Sequence, residues 1–284
     1  MSVRIYVGAA PVSAIPADDR GFGYGDGLFE TMRAHRGRVP WWDAHWSRLQ
    51  RGAVRLRIAL PEHEQVHDEA DRLLDGRDGV LKLVVSRGSS GHGSGARGYA
   101  LGDASVPTWV LSHHPAPSAF AREGLTLRWC DTRLALQPVL AGIKHCNRLE
   151  QVLARAEWCD LQAPQRDADE GLMRSSEGDV VCATAANVFM LAAGRWLTPR
   201  IDRCGVEGVC RDWAMAALAA EARRLAMSDI ESAEAVFLCN AVRGILPVAR
   251  LGTRAWSPHP RVTALQQRLA KEHPGFTAIS TELS

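Results

Sequence analysis

The chain has 284 residues, 46% hydrophobic and 23% charged, with 34 basic against 32 acidic side chains for a net charge of +2. That length supplies a core for one large domain or two ordinary ones, and the composition is that of a folded globular protein, which excludes a disordered chain. The near balance of charge gives no electrostatic reason to bind nucleic acid or an anionic membrane, while leaving room for a local basic pocket that takes a small anion. No apolar run approaches the roughly 20 residues that cross a bilayer.

In chain order, Val3–Gly8 reads as a strand followed by a loop broken by Pro11 and Pro16, not as a signal peptide. Leu28–His35, a turn at Arg36-Gly37 and Arg38–Trp42 read as a hairpin. Asp43 is placed to cap a helix over Ala44–Arg57, with Trp46, Leu49, Ala53 and Leu56 along one face. Pro61–Leu74 reads as a second helix, opened by proline in its first turn. Gly79–Ser86 and Thr108–Ser112 are strands, and the Gly/Ser-rich loop between them, centred on residues 87–98, is of the kind that closes over small ligands.

Two prolines in His113–Ser118 suit an extended connector. The expected organisation is an N-terminal α/β domain at 1–112, a linker at 113–119 and a C-terminal domain at 120–284. The second half reads as strand Leu125–Cys130, helix Arg148–Cys159, a hairpin across Ser175–Asp179, strand Trp196–Thr198, a helix from Val209 to Leu225, strand Ala235–Leu238 and a helix over Val262–Lys271. The mixture predicts an α/β or α+β fold in two domains, with a ligand cleft between them. Seven cysteines, an odd number with no CxxC pair, speak against a disulfide framework or structural zinc and for a reducing cytoplasm.

Four segments carry chemistry. His63-Glu64-Gln65-Val66-His67 matches HExxH, which on a helix puts two imidazoles on one face for zinc. Its flanks, Glu62, Asp68, Glu69, Asp71 and Arg72, are those of a solvated helix face, with Val66, Ala70, Leu73 and Leu74 on the buried side, so we expect no metal there. Lys144, one of three lysines in the chain, precedes a helix in which Asn147 and Glu150 have capping-box spacing and Leu149, Val152, Leu153 and Ala156 form an apolar stripe. A partly buried lysine so placed can form a Schiff base; an ordinary surface lysine is the alternative. Gly205-Val206-Glu207-Gly208 at a predicted helix start can offer backbone N–H groups to phosphate, or be a plain turn. Arg48 can donate a charge-assisted fork to phosphate, or be a surface charge.

Taken together, Arg20-Gly-Phe-Gly-Tyr-Gly25-Asp26-Gly27-Leu-Phe-Glu30-Thr31, His45-Trp-Ser-Arg48-Leu49, Lys144-His-Cys-Asn147-Arg148-Leu149-Glu150, Glu170-Gly-Leu-Met, Asn187-Val-Phe189, Thr198-Pro199 and Gly205-Val-Glu-Gly208 resemble, in order and over nearly the whole chain, the fold-type IV pyridoxal-phosphate enzymes. That family includes D-amino-acid and branched-chain aminotransferases and 4-amino-4-deoxychorismate lyase. Ile143–Gln151, Cys239-Asn240-Ala241 and Leu246-Pro247-Val248 look most like the lyase members.

The resemblance implies a two-domain fold with the active site between the domains, a homodimer, and pyridoxal 5'-phosphate bound through Lys144, which also serves as general base. It implies that Arg48 binds the cofactor phosphate, helped by backbone N–H groups of Val206 and Glu207 and near Asn240 and Ala241. For the lyase it implies cleavage of aminodeoxychorismate to 4-aminobenzoate and pyruvate in folate synthesis, driven by aromatisation. Arg97 is the candidate for one substrate carboxylate, with Tyr99 and Asn240 as further substrate residues; a loop surface charge is the alternative for Arg97. The chain departs from the family at Cys182, where many relatives carry the Glu that pairs with the pyridine nitrogen. A neutral thiol weakens the electron sink, which hurts transamination more than an elimination that makes an aromatic ring. An aminotransferase on the same scaffold and a cofactor-binding homologue without catalysis are the competing readings.

Overall fold

The computed structural model describes residues 2–89, 98–101, 106–117, 124–159 and 168–277. The chain divides into two compact units, Met1–Pro117 with Ile143–Asn147, and Ser118–Gly142 with Arg148–Ser284.

The first unit contains β1 (Ser2–Val7), β2 (Ala10–Val12), α1 (Arg20–Tyr24), β3 (Gly27–Ala34), α2 (Trp42–Leu56), α3 (His63–Leu74), β4 (Gly79–Ser86) and β5 (Thr108–His114). Its sheet is antiparallel throughout, in the order β2-β1-β5-β4-β3. Along β3, Leu28, Glu30, Met32 and Ala34 are buried while Phe29, Thr31 and Arg33 are less so, the period of two of a strand with one covered face. On α2 the buried residues are His45, Arg48, Leu49, Gly52 and Ala53, a stripe of helical period that packs on β3. Gly52 permits that approach, because a Cβ there would lie 2.7 Å from Leu28 Cδ2. Met32, Leu49, Leu81, Leu83, Trp109 and Leu111 fill the core.

Three expectations are corrected here. Arg38–Trp42 is not a strand: beyond one bridge, His35 to Arg38, no ladder forms, because Pro40 has no N–H to give and Trp41 turns left-handed at φ 60°. Asp43 is inside the first turn of α2 instead of capping it; Trp41 holds the cap position without a side-chain bond. The expected linker begins inside β5, since His113 pairs with Ser2 and Leu81, and His114 with Val80.

The second unit contains β6 (Leu125–Leu134), α4 (Leu149–Ala156), β7 (Glu170–Ser175), β8 (Val180–Ala183), β9 (Asn187–Ala192), β10 (Arg195–Pro199), α5 (Val209–Leu218), β11 (Glu221–Arg223), α6 (Met227–Ser232), β12 (Ala235–Asn240), β13 (Gly244–Leu251), β14 (Arg254–Ala255) and α7 (Pro260–Glu272). Its sheet runs β11-β10-β9-β12-β13-β6-β7-β8, with β14 on β13. The β10–β11, β13–β6 and β6–β7 pairs are parallel and the rest antiparallel. The mixed α/β class expected from the sequence is what is found. Leu125, Leu172, Val188, Met190, Val236 and Leu238 anchor one core cluster. Phe189 stacks on Phe237 with ring centroids 4.8 Å apart, a cross-strand pair of β9 and β12.

The helix expected to run to Leu225 stops at Leu218, where Ala219 turns left-handed at φ 48° and the chain enters β11. The capping box expected at α4 does not form, because Glu150 instead accepts the Ala135 backbone N–H at 2.7 Å. The expected apolar stripe of α4 is exposed at Leu149, Val152, Leu153 and Ala156, and the helix buries Ala154 on another face instead. No helix among the described residues is long and apolar enough to cross a membrane.

Candidate active site

Lys144 belongs to the first unit, not to the C-terminal half in which its sequence position put it. The reason is backbone pairing at the edge of β3. Phe29 N–H donates to Lys144 O at 2.9 Å, Cys146 N–H donates to Gly27 O at 2.9 Å, and Leu28 and His145 form a bridge. The lysine is thereby fixed to a strand, with Nζ 4.3 Å from the Phe29 ring centroid. Gly25 allows the Gly-rich turn to meet this segment: its φ is +65°, and a Cβ would lie 2.4 Å from Asn147 Oδ1.

Arg48 is not a surface charge. It is buried on the core stripe of α2 and donates from Nε to Glu30 Oε1 at 2.8 Å and from Nη2 to Glu30 Oε2. His45, one helical turn earlier, meets Glu30 Oε2 through Nδ1 at 2.6 Å. Burial pushes the Glu30 carboxyl up, but the Arg48 charge and the bonds from His45 and Arg48 outweigh it and hold the group at about 2. Burial lowers His45 below its ordinary value, only partly offset by Glu30. The cluster at neutral pH is therefore a carboxylate, a guanidinium and a neutral imidazole whose Nδ1 carries the proton.

Glu30 and His45 were not among the candidates read from the sequence. The signal was there: Glu30 is an acid in the buried alternation of β3, and His45 and Arg48 sit three apart on the same stripe as Leu49 and Ala53. Polar residues at core positions of two neighbouring elements need each other as partners.

In the second unit, Gly142 and Val206 are bridged: Gly142 N–H donates to Gly205 O at 3.1 Å and Glu207 N–H donates to Gly142 O at 3.0 Å. This corrects the role expected for the Glu207 amide, which is spent inside the fold. Asn187 Nδ2 donates to Val206 O at 2.9 Å, and α5 begins after Gly208. Asn240 closes the β12–β13 turn that contains Ala241: its Oδ1 accepts the N–H groups of Val242 and Arg243 at 3.0 and 2.8 Å, and its Nδ2 donates to Ala185 O at 3.1 Å. Its carboxamide is thus engaged with the backbone through Oδ1 and one Nδ2 hydrogen.

Cys182 is buried on β8, and burial, reinforced by nearby Cys204, pushes its thiol up to about 12. It is neutral at physiological pH. Glu170 is the acid whose charge adds to that rise, but its oxygens are engaged by Thr184, by Arg155 at 3.0 Å and by the Gly171 N–H at 3.0 Å.

Arg97 lies outside the described residues, as does most of the Gly-rich loop. Tyr99 is 86% exposed, with its ring 5.6 Å from that of Tyr24. The backbone on either side of it is held by buried Arg20, whose Nη1 donates to Gly98 O at 2.9 Å and Ala100 O at 3.4 Å. In the HEQVH segment, His63 Nε2 accepts the Trp42 indole N–H at 2.9 Å, and His67 lies edge-on to Trp42. No group of His, Cys, Asp and Glu among the described residues is arranged to hold a metal.

Residues 27–251 match the family model described as amino-transferase class IV. The chain is 32% identical over 253 residues to an aminodeoxychorismate lyase of Vibrio harveyi, covering 86% of this chain and 90% of that protein. It is 24% identical over 277 residues to a D-alanine aminotransferase of Bacillus licheniformis, covering 91% and 93%. Among solved structures it superposes on the 4-amino-4-deoxychorismate lyase of Pseudomonas aeruginosa with a TM-score of 0.85 at 36% identity, covering 95% of this chain and 99% of that one.

Proposed function

From its membership of the class IV aminotransferase family, and from the pyridoxal 5'-phosphate on which that family depends, we propose that the chain is a 4-amino-4-deoxychorismate lyase, releasing 4-aminobenzoate and pyruvate from aminodeoxychorismate. The observation that carries this reading is the likeness to lyases over almost the full length of both chains, at higher identity than to the D-alanine aminotransferase. A cytoplasmic homodimer goes with it.

The donor set fits the cofactor. In the first unit Lys144, fixed to β3 by its backbone, would offer a primary amine to an aldehyde, and buried Arg48 would offer a guanidinium to a phosphate, whereas buried Arg20 and Arg87 are both paired with Asp26. When bound, the cofactor supplies an electron sink beside the amino-bearing carbon of the substrate. Arg48 would hold the phosphate by charge-assisted bonds. Lys144 would hold the cofactor through Nζ and, once free, would take the proton from ring carbon C4 of the substrate. Pyruvate leaves as the ring becomes aromatic, so the protein has to position the ring and move one proton, and little more.

Cys182 adds a chemical reason for preferring elimination. A neutral thiol brings no charge to the pyridine nitrogen, and Glu170 is already committed to Thr184, Arg155 and Gly171. Transamination, which must store a carbanion on the cofactor, loses most from that arrangement. The test is product analysis with aminodeoxychorismate: 4-aminobenzoate and pyruvate should appear in equal amounts with no keto-acid acceptor. Cys182→Glu should raise transamination of D-alanine or branched-chain amino acids relative to lyase turnover. Fast transamination by the unmodified protein without 4-aminobenzoate would favour an aminotransferase, and neither activity a cofactor-binding homologue.

A further inference from the structure

The Glu30–His45–Arg48 cluster is an expensive way to fill a core. Replacing a buried ion pair by apolar side chains of similar volume is often neutral or stabilising. Each of the three occupies a place where its neighbours in the sequence pattern, Leu28, Met32, Leu49 and Ala53, are apolar. His45 carries a further cost. With its Nδ1 proton given to Glu30, its Nε2 is left with a lone pair that is buried and finds no partner among the described residues. It sits in the wall of a small cavity with Met32, Trp42, Trp46, Leu49 and Leu83. Among the described residues, the polar partner of the imidazole is Glu30 alone.

We infer that Glu30, held by His45, is a built-in counter-ion that compensates the buried Arg48 guanidinium while no phosphate is bound, and that it shares the guanidinium with the cofactor phosphate once that arrives. This rests on the reading of Arg48 as phosphate anchor. The geometry supports it through the way the guanidinium is gripped: Nε and Nη2 both go to the two oxygens of one carboxylate, a planar fork that fixes orientation as well as charge. Glu30 is therefore a positioning residue. It lets the chain fold with its anchor ready, at the cost of setting one negative charge near the place where another must bind. His45 adds direction without adding charge.

The consequence is a sign that a merely structural role does not produce. Glu30→Gln keeps a carbonyl for Arg48 and removes the competing charge. The phosphate then becomes the anion that balances the guanidinium, so binding that depends on the phosphate should strengthen while the cofactor-free fold weakens. The probes are pyridoxal 5'-phosphate and pyridoxal, which differ by that phosphate, titrated into cofactor-stripped protein and followed by absorbance and by thermal unfolding.

In Glu30→Gln the preference for pyridoxal 5'-phosphate over pyridoxal should rise about tenfold over the unmodified protein, the scale of one charge-assisted contact. Melting of the stripped variant should fall, and the phosphorylated probe should restore more of it than pyridoxal does. If the stripped Gln variant does not fold, Glu30→Asp, whose shorter carboxylate cannot serve Arg48 and His45 together, should shift the preference in the same direction by a smaller factor. An unchanged or reduced preference in whichever variant folds overturns the inference. Arg48→Ala separates the two ideas. If it collapses the preference while Glu30→Gln leaves it alone, the inference alone fails. If Arg48→Ala leaves the preference intact, the anchor reading fails and takes the inference with it.

Discussion

Replacing Glu30 by Gln should change how stability depends on acid. The carboxyl moves from 4.5 to about 2 on folding, which at about 1.4 kcal/mol per pH unit amounts to about 3 kcal/mol of stability at neutral pH. The sign follows from which state binds the proton. Between pH 4.5 and 2 the unfolded chain has Glu30 protonated while the folded chain keeps it ionised. The contribution is thus complete above pH 4.5 and is lost as pH falls through the folded value. The Gln variant has no such group, so its stability should fall less steeply with acid over that window. At neutral pH it should be less stable than the parent by about 3–5 kcal/mol, because Arg48 is left buried without its counter-charge. Urea unfolding of the cofactor-stripped proteins, followed by circular dichroism in steps from pH 7 down to the lowest pH at which both remain folded, measures both quantities. Parallel pH profiles for parent and variant below pH 4.5 would refute the assignment of an ionised Glu30 to the folded state. His45 contributes as well: its lowered value means that stability is present above its ordinary pKa of 6.5 and falls as pH drops below that, more so in the variant, where the partial offset from the Glu30 charge is gone.

Borohydride reduction of the cofactor-loaded protein should fix the label to the peptide containing Lys144, and Lys144→Ala should lose turnover by several orders of magnitude; a label on Lys82 or Lys271, the other two lysines, would remove Lys144 from the centre of the chemistry. Metal analysis after dialysis should find substoichiometric zinc, and His63→Ala combined with His67→Ala should leave activity nearly intact, since His63 is already the acceptor for the Trp42 indole; stoichiometric zinc lost in the double variant would reverse that view.

The sequence by itself determined much about this protein. Periodicity located β4 to the residue and β1, β3, β5, α2, α3 and α7 to within a few, because each covers one face of a core, but it gave no reading for the central strands β9 and β13. The order of short motifs from Arg20 to Gly208 was enough to indicate the family and to single out Lys144, Arg48 and Cys182, since a cofactor site demands particular residue types along a fixed scaffold. Other features lay beyond local pattern. The Arg38–Trp42 strand failed for want of a partner ladder, and the helix after Val209 was cut short at Ala219 by a left-handed turn and the start of β11, which pairs with β10. The Asn147–Glu150 cap dissolved because Glu150 found the distant Ala135 N–H. Lys144 joined the first unit, 27 residues after that unit's main stretch ends at Pro117, through backbone bonds to β3 that no propensity encodes. Above all, tertiary structure decided the state of Arg48. Sequence offered a choice between surface charge and phosphate ligand. Only the packing of α2 on β3 brings Glu30 and His45 against it, and in a buried setting the nearest opposite charge, not the local sequence, fixes what a guanidinium can do.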